Sequence, residues 1–346
     1  SLPTTFPPSR VSFLTADLSR PSFGLPGNTY NTLLSSTTHI IHNAWPVNFN
    51  LPLSAFTPSI SGMLALITFS AHSTHATSLQ FLSSISSISA YPSPQIPERV
   101  IDELTVCPGF GYAQSKYLAE RLLDYACGKL GISASFVRLG QIAGAATTKT
   151  GWNRWEWLPS LVTSSAFLGA LPQALGNVEE SMVDWVPVDH MADVVVDLAL
   201  LPPRPRGGVD GHDGEVEKVR VNHIVHPKPR PWAELLDPIR HAIASEIPGA
   251  KPLGVVSYAD WVALLKQKTA DAEKDTSLDH TALATTNPAM KLLDFYEGLL
   301  DGREKTLRLE LEMEKTMEQS EKLGALEPLR GEWVGGWVRE WMVAVR

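Results

Sequence analysis

The chain has 346 residues, 44% of them hydrophobic and 19% charged, with a formal net charge of -8. That length and balance allow one large core, or a core with a second lobe, and exclude general disorder. The acidic charge is spread along the chain without a basic run, so neither nucleic acid nor an anionic membrane surface is an expected partner.

Two cysteines, Cys107 and Cys127, are too few for a disulfide framework and have no companions at zinc-ligand spacing. Both are expected to be buried thiols in a reducing compartment, with no metal site. No window approaches about 18 consecutive apolar residues, and the start SLPTTFPPSR has neither a basic region nor an apolar stretch behind it. The expected location is cytoplasmic.

In chain order, short apolar runs alternate with stretches of helical period, the pattern of an α/β sheet with crossover helices. Strands are expected at Val11–Thr15, His39–His42, Leu64–Phe69, Leu79–Ser83, Ser135–Leu139 and Val219–Ile224. Between the fourth and fifth, Gly111–Lys129 has the period of a sheet-packed helix, with Leu118, Leu122 and Leu123 facing the sheet and Glu120, Arg121 and Asp124 facing water. A helix is expected over Met191–Leu201, stopped by Pro202, and the Gly- and charge-rich Gly207–Lys218 reads as an exposed loop. Beyond about Pro229 the pattern is helical only, at Val262–Lys268, Ala289–Leu300 and Thr306–Leu323. Trp333, Trp337 and Trp341 recur every fourth residue, a helix with one aromatic packing face.

The strongest chemical signal is Tyr112 with Lys116, four apart at a helix start and so on one helix face. An ammonium beside a phenol favours the phenolate, which allows Tyr112 to exchange a proton near neutral pH. Upstream, the run Leu79–Leu82 reads as a strand ending in Ser83 and Ser84. The carboxyl ends of strands are where open α/β sheets build their sites, and a serine there can hold the oxyanion that Tyr112 protonates. Ser84 is favoured over its neighbours in a serine-rich stretch. The bland readings are an exposed Tyr and Lys on a solvated helix, and a serine loop without chemistry.

Further stretches follow in order: Thr15–Leu18 and Phe23–Leu25, Ile40–Asn50, Gly111–Lys116 with Glu120, Arg138–Gly144, Gly151–Asn153, Glu156, Trp157, Pro159, Ser160, Val183–Asp189 and Asn287–Leu293. From about Val11 to the end, this series resembles the thioester reductase domains that end fungal non-ribosomal peptide and polyketide synthases. Those domains are extended short-chain dehydrogenases/reductases with a male-sterility-type NAD-binding region.

The resemblance implies Ser84, Tyr112 and Lys116 as a catalytic triad. Asp17 and Leu18 would flank an adenine, Asn43 and Ala44 would lie along a ribose, and Gly140 and Gln141 would approach a nicotinamide. Trp45, Asn48, Trp152, Asn153, Glu156 and Trp157 would contact the acyl or phosphopantetheine group. Read from the residues alone, Asp17 can simply cap a turn and the tryptophans can be core.

One departure bears on the cofactor. Family members open with a strand, a glycine-rich turn and a helix whose N-terminus holds the dinucleotide pyrophosphate. This sequence shows no such unit, and Gly109-Phe110-Gly111 reads as the turn into the Tyr112 helix. The expected fold is therefore an incomplete Rossmann-like parallel sheet lacking its first βαβ unit, over residues 1–150 and 180–228. A mainly helical substrate lobe is expected over 151–179 and 229–346.

Three functions stay open. The first is non-redox acid–base chemistry (condensation, cyclisation, elimination or isomerisation) on an acyl thioester or aldehyde. The second is a fragment of an NADPH-dependent reductase that releases aldehyde or alcohol from a carrier protein. The third is a non-catalytic module that binds an acyl or peptidyl carrier protein. No cofactor or weakly held NADPH is expected for the chain alone, and NADPH if the absent segment is supplied.

Overall fold

The computed structural model describes residues 10–147, 151–203, 219–247, 253–274, 280–302 and 309–343. They divide into two compact units, the first made of Ser1–Leu139, Val196–His223 and Leu311–Gln319, the second of Gly140–Val195, Ile224–Glu310 and Ser320–Arg346.

The first unit begins with helix α1 (Gly27–Ser36), strand β1 (His39–His42), helix α2 (Thr57–His72) and strand β2 (Ser78–Ser84). A short strand β3 (Gln95–Ile96), the long helix α3 (Gly111–Leu130) and strand β4 (Ser133–Leu139) follow. β1, β2, β4 and the strand Arg220–Ile224 form one sheet in that order. β2 runs parallel to both neighbours, with His42 opposite Phe81 and Ser84 opposite Leu139. Leu79, Phe81, Ala134 and Phe136 meet Met63, Leu66 and Phe69 of α2 and Ala119, Leu123 and Ala126 of α3 in one apolar core.

Four of the expected strands are present. Leu64–Phe69 instead lies inside α2, whose alternation of buried Met63, Leu66, Ile67 and Phe69 with exposed Leu64 and Thr68 follows a helical face. The apolar stretch Leu53–His72 is long enough to span a membrane by length and composition, but its apolar side chains supply the core of this unit. Val11–Thr15 forms no strand, and Phe13 and Leu14 are exposed. Strand preference is realised only in a ladder, and no strand ladder of the described residues includes this segment. β1 lies at the edge of the four-stranded sheet.

The second unit is mainly helical: α4 (Trp157–Leu168), most of α5 (Val188–Ala199), α6 (Leu236–Glu246), α7 (Tyr258–Lys274), α8 (His280–Thr286) and α9 (Leu293–Asp301). The expected helix Thr306–Leu323 is replaced, over its described residues, by a short strand at Glu310–Leu311 and two short helices, α10 (Glu314–Gln319) and α11 (Glu321–Ala325). Its first three residues, and the loop expected at Gly207–Lys218, lie outside the described residues. α10 belongs to the first unit. There Glu98 accepts hydrogen bonds from the amides of His223, Lys315 and Thr316 and from the Thr316 hydroxyl. Helix α12 (Gly331–Val343) has the aromatic face read from the sequence, with Trp337 and Trp341 packed edge-on against Trp152.

Phe136 is fully buried at the centre of the first core. Phe136→Ala is expected to lower unfolding free energy by about 3–5 kcal/mol, the usual cost of a buried phenylalanine, and denaturant titration followed by circular dichroism checks it.

Candidate active site

Three elements of the first unit converge at the carboxyl end of β2. Ser84 ends β2 and starts the 3-10 turn Ile85–Ile88, where its Oγ accepts the Ser86 amide at 3.2 Å and donates to the Ser86 hydroxyl at 3.1 Å. The first turn of α3 brings Tyr112, whose phenol comes close enough to the Ser84 hydroxyl to be influenced by it. One helical turn on, Lys116 donates to the Leu82 carbonyl at 2.6 Å. Tyr112 is 5% exposed and Lys116 4%, so the solvated-helix reading fails.

Gly111 permits this approach. A Cβ there would lie 2.3 Å from the Leu51 carbonyl oxygen and 2.4 Å from the Leu53 nitrogen, so the loop after β1 presses on the start of α3 only because residue 111 has no side chain. That loop also carries Trp45, whose Nε1 donates to Ser115 Oγ at 3.1 Å, and Phe49, whose ring meets Tyr112 edge-on at 5.0 Å.

Burial dominates the electrostatics. It pushes the Tyr112 phenol above its usual range, and the nearby Ser84 hydroxyl pulls it back. Burial also draws the Lys116 ammonium down to about 7, while Glu120 acts in the opposite direction. The rings of Phe81, Trp45 and Tyr112, 4.5, 5.1 and 5.7 Å from Nζ, favour the charged form as well. His42 on β1 is held neutral, its value lowered to about 4 by burial and by Lys116, and its Nε2 has no hydrogen-bond partner. A buried phenol with an ammonium that can change charge near neutral pH and a hydroxyl at its oxygen can donate a proton to a carbonyl, or take one up.

The other expected site residues are placed as follows. Asp17 accepts from the Ser19 amide at 3.0 Å and the Ser19 hydroxyl at 2.6 Å, which closes a turn and holds its carboxyl low. Leu18 packs beside Gly62 at the edge of the first core, and Asn43 and Ala44 are exposed just past β1. Asn48 accepts the Asn50 amide at 3.0 Å.

In the second unit Gln141 accepts from Trp157 Nε1 at 3.0 Å, Trp152 Nε1 donates to Glu156 at 2.8 Å, and Asn153 accepts the Trp155 amide at 3.2 Å. Burial raises the Glu156 carboxyl. Trp152 is a core residue, whereas Trp157 and Glu156 are half-buried beside Gln141.

Sequence reasoning sent Glu120 to water, yet it is 1% exposed and paired with the fully buried Arg138 at 2.8 Å. Leu118, expected to face the sheet, is exposed instead. The signal was present, since Glu120 follows Tyr112 by two helical turns and Lys116 by one. Cys127 is buried, while Cys107 is half-buried and its thiol is pushed up to about 11 by burial and by Glu120.

Residues 3–195 match the family described as Male sterility protein, a family of NAD-binding domains. The chain therefore belongs to the male sterility protein family. It is 32% identical over 337 residues to a carboxylic acid reductase of Neurospora crassa, covering 96% of this chain and 30% of that protein. It is 31% identical over 348 residues to the non-reducing polyketide synthase dbaI of Emericella nidulans, covering 96% of this chain and 12% of that one. The chain thus spans less than a third of the length of either relative.

Among solved structures, the terminal R domain of the myxalamid PKS-NRPS pathway superposes with a TM-score of 0.68 at 19% identity, over 94% of this chain and 73% of that one. The reductase domain of a non-ribosomal peptide synthetase from Mycobacterium tuberculosis gives 0.69 at 17%, over 96% and 75%. The fold is that of these reductase domains.

The family implies a dinucleotide, but the described residues do not fit its pyrophosphate. The loop after β1 and the turn after β2 contain no glycine. The places of the missing side chains at Gly111, Gly140 and Gly144 are filled by Leu51–Leu53 backbone, Val225 and Trp337. No strand of the four-stranded sheet leads through an open glycine turn into a helix N-terminus among these residues.

Lys116 has a pH signature of its own. Its value falls from 10.5 to about 7 on folding, so between those limits the unfolded chain binds more protons and stability rises with pH. The stability of the wild type minus that of Lys116→Met is therefore expected to climb from about pH 7 to pH 10.5 and to be flat outside that window, which urea titrations across that range measure.

Proposed function

We propose that the chain is the acid–base and acyl-binding part of a reductase domain that acts on a thioester held by an acyl or peptidyl carrier protein, or on the derived aldehyde. The observation that carries this reading is the buried Ser84/Tyr112/Lys116 centre at the carboxyl end of β2 in a chain of an NAD-binding family. The reductases and polyketide synthases among its relatives support it.

In this reading Ser84 holds the carbonyl oxygen and Tyr112 delivers the proton to it. Lys116 favours the phenolate that remains, through a charge that burial leaves free to change near neutral pH. Residues 1–150 and 180–228 carry this chemistry, and 151–179 with 229–346 receive the acyl group, with Asn153, Glu156 and Trp157 as its contacts. Asp17, Leu18, Asn43 and Ala44 are the positions of the first unit along which NADPH would lie. The proposed setting is the cytoplasm.

A second reading, non-redox acid–base chemistry at the same centre, is favoured by one observation: the described residues offer no pyrophosphate cradle. Turnover of an N-acetylcysteamine thioester and its aldehyde, with and without NADPH, separates the two.

Tyr112→Phe is expected to lower turnover by about 10²- to 10⁴-fold with the fold intact, the range general acid–base groups supply. Ser84→Ala should cost less, because Ser86 places a second hydroxyl beside it. Unchanged turnover in Tyr112→Phe would remove this centre from the chemistry.

The chain alone is expected to bind NADPH with a dissociation constant of at least about 1 mM, or about 4 kcal/mol, by fluorescence titration. Saturation at micromolar concentration would show that a pyrophosphate site exists after all.

A further inference from the structure

The carboxylate of Glu120 is the most heavily engaged group around the active centre. Oε1 accepts from Ser83 Oγ at 2.5 Å and from Ser87 Oγ at 2.7 Å. Oε2 accepts from Arg138 Nε at 3.1 Å and from its second guanidinium nitrogen at 2.8 Å. Arg138 is anchored in turn by the Arg99 carbonyl at 3.1 Å and by His223 Nε2 at 3.1 Å. Ser83 and Ser87 bracket Ser84, the first as the preceding strand residue and the second in the turn that Ser84 caps. Glu120 also follows Lys116 by four residues on the same helix, one turn along the same face.

We infer that Glu120 is a positioning residue: its carboxylate clamps the serine turn on both sides of Ser84 and keeps a negative charge one helical turn from the Lys116 ammonium. The inference rests on the proposed role of Ser84, Tyr112 and Lys116 and adds a residue that touches none of the reacting atoms.

The groups facing Lys116 are Tyr112 and Glu120 from α3, His42 and Trp45 from β1 and its loop, and the Leu82 carbonyl and Phe81 from β2. Glu120 is faced by Arg138 from β4, by Ser83 and Ser87, and at longer range by Cys107 and Tyr117. Of the charges around Lys116, Glu120 is the one that favours the ammonium. Removing it while keeping its shape should therefore ease proton loss from Lys116.

The test is Glu120→Gln in the full chain. The Lys116 titration is read by NMR of lysine side chains labelled with carbon-13, assigned with Lys116→Arg, and kcat against pH is recorded beside it. The midpoint is expected to fall by about one pH unit or more, and the limb of the activity profile lost as Lys116 deprotonates should move with it. Glu120→Asp, which keeps the charge, should hold the midpoint near that of the wild type. A folded Glu120→Gln with wild-type midpoint and kcat would overturn the inference.

Should Glu120→Gln not fold, Ser87→Ala tests the clamp alone and leaves the ion pair whole. It is expected to reduce kcat several-fold with the pH profile unmoved, and wild-type kcat there would overturn the inference equally. Tyr112→Phe run alongside separates the two layers. Full activity in that variant refutes the proposed function, whereas the Lys116 midpoint still reports on Glu120.

Discussion

The ion pair between Glu120 and Arg138 is the constraint around which the first unit is built. Both side chains are removed from water, at a cost on the order of several kcal/mol per ion, which is recovered only when every remaining donor and acceptor finds a partner. Here they do, through Ser83, Ser87, the Arg99 carbonyl and His223. Those partners sit on β2, the turn after it, β4's companion strand and the loop before α3. The polar cross-link therefore fixes the helix that carries Tyr112 against the strand that ends in Ser84. An apolar core alone sets which faces meet, while a buried pair with directional bonds also sets how far one slides along the other.

That fixed geometry allows a basic side chain to be buried beside the site. Lys116 loses its water and gains the Leu82 carbonyl and three aromatic rings in exchange. The outcome is an ammonium poised to change charge near neutral pH next to a phenol that burial keeps protonated. His42, uncharged and without a partner for Nε2, adds no competing cation to the enclosure. The same burial that costs stability thus moves both groups away from their usual proton affinities, a feature common at functional sites.

The second unit uses its tryptophans differently. Trp152, Trp185, Trp337 and Trp341 meet edge-on, and the indole nitrogens of Trp337 and Trp341 donate to the carbonyls of Ala145 and Trp152. Gly144 leaves room for the Trp337 ring, since a Cβ there would lie 2.5 Å from it. These rings hold the segment that follows β4 in place. Trp157, bonded to Gln141 and packed on Trp185 and Phe295, is half-buried.

Local patterns decided much of this protein. A tyrosine and a lysine four apart on a helix must share a face, and short apolar runs such as His39–His42 and Ser135–Leu139 read as strands, the first of which lies at the sheet edge with Ile41 exposed. The helix of Trp333, Trp337 and Trp341 was likewise legible, because a four-residue repeat survives any packing partner. What periodicity could not settle was the environment. Leu64–Phe69 has the apolar content of a strand, and only the neighbouring core made it one side of α2. Val11–Thr15 has strand preference without a ladder to join. Glu120 carries the charge of a surface residue, and nothing in its own helix reveals the arginine that waits for it on a strand eighteen residues later. Strand pairing and buried charge are both contracts with distant residues, so their outcome belongs to the tertiary structure.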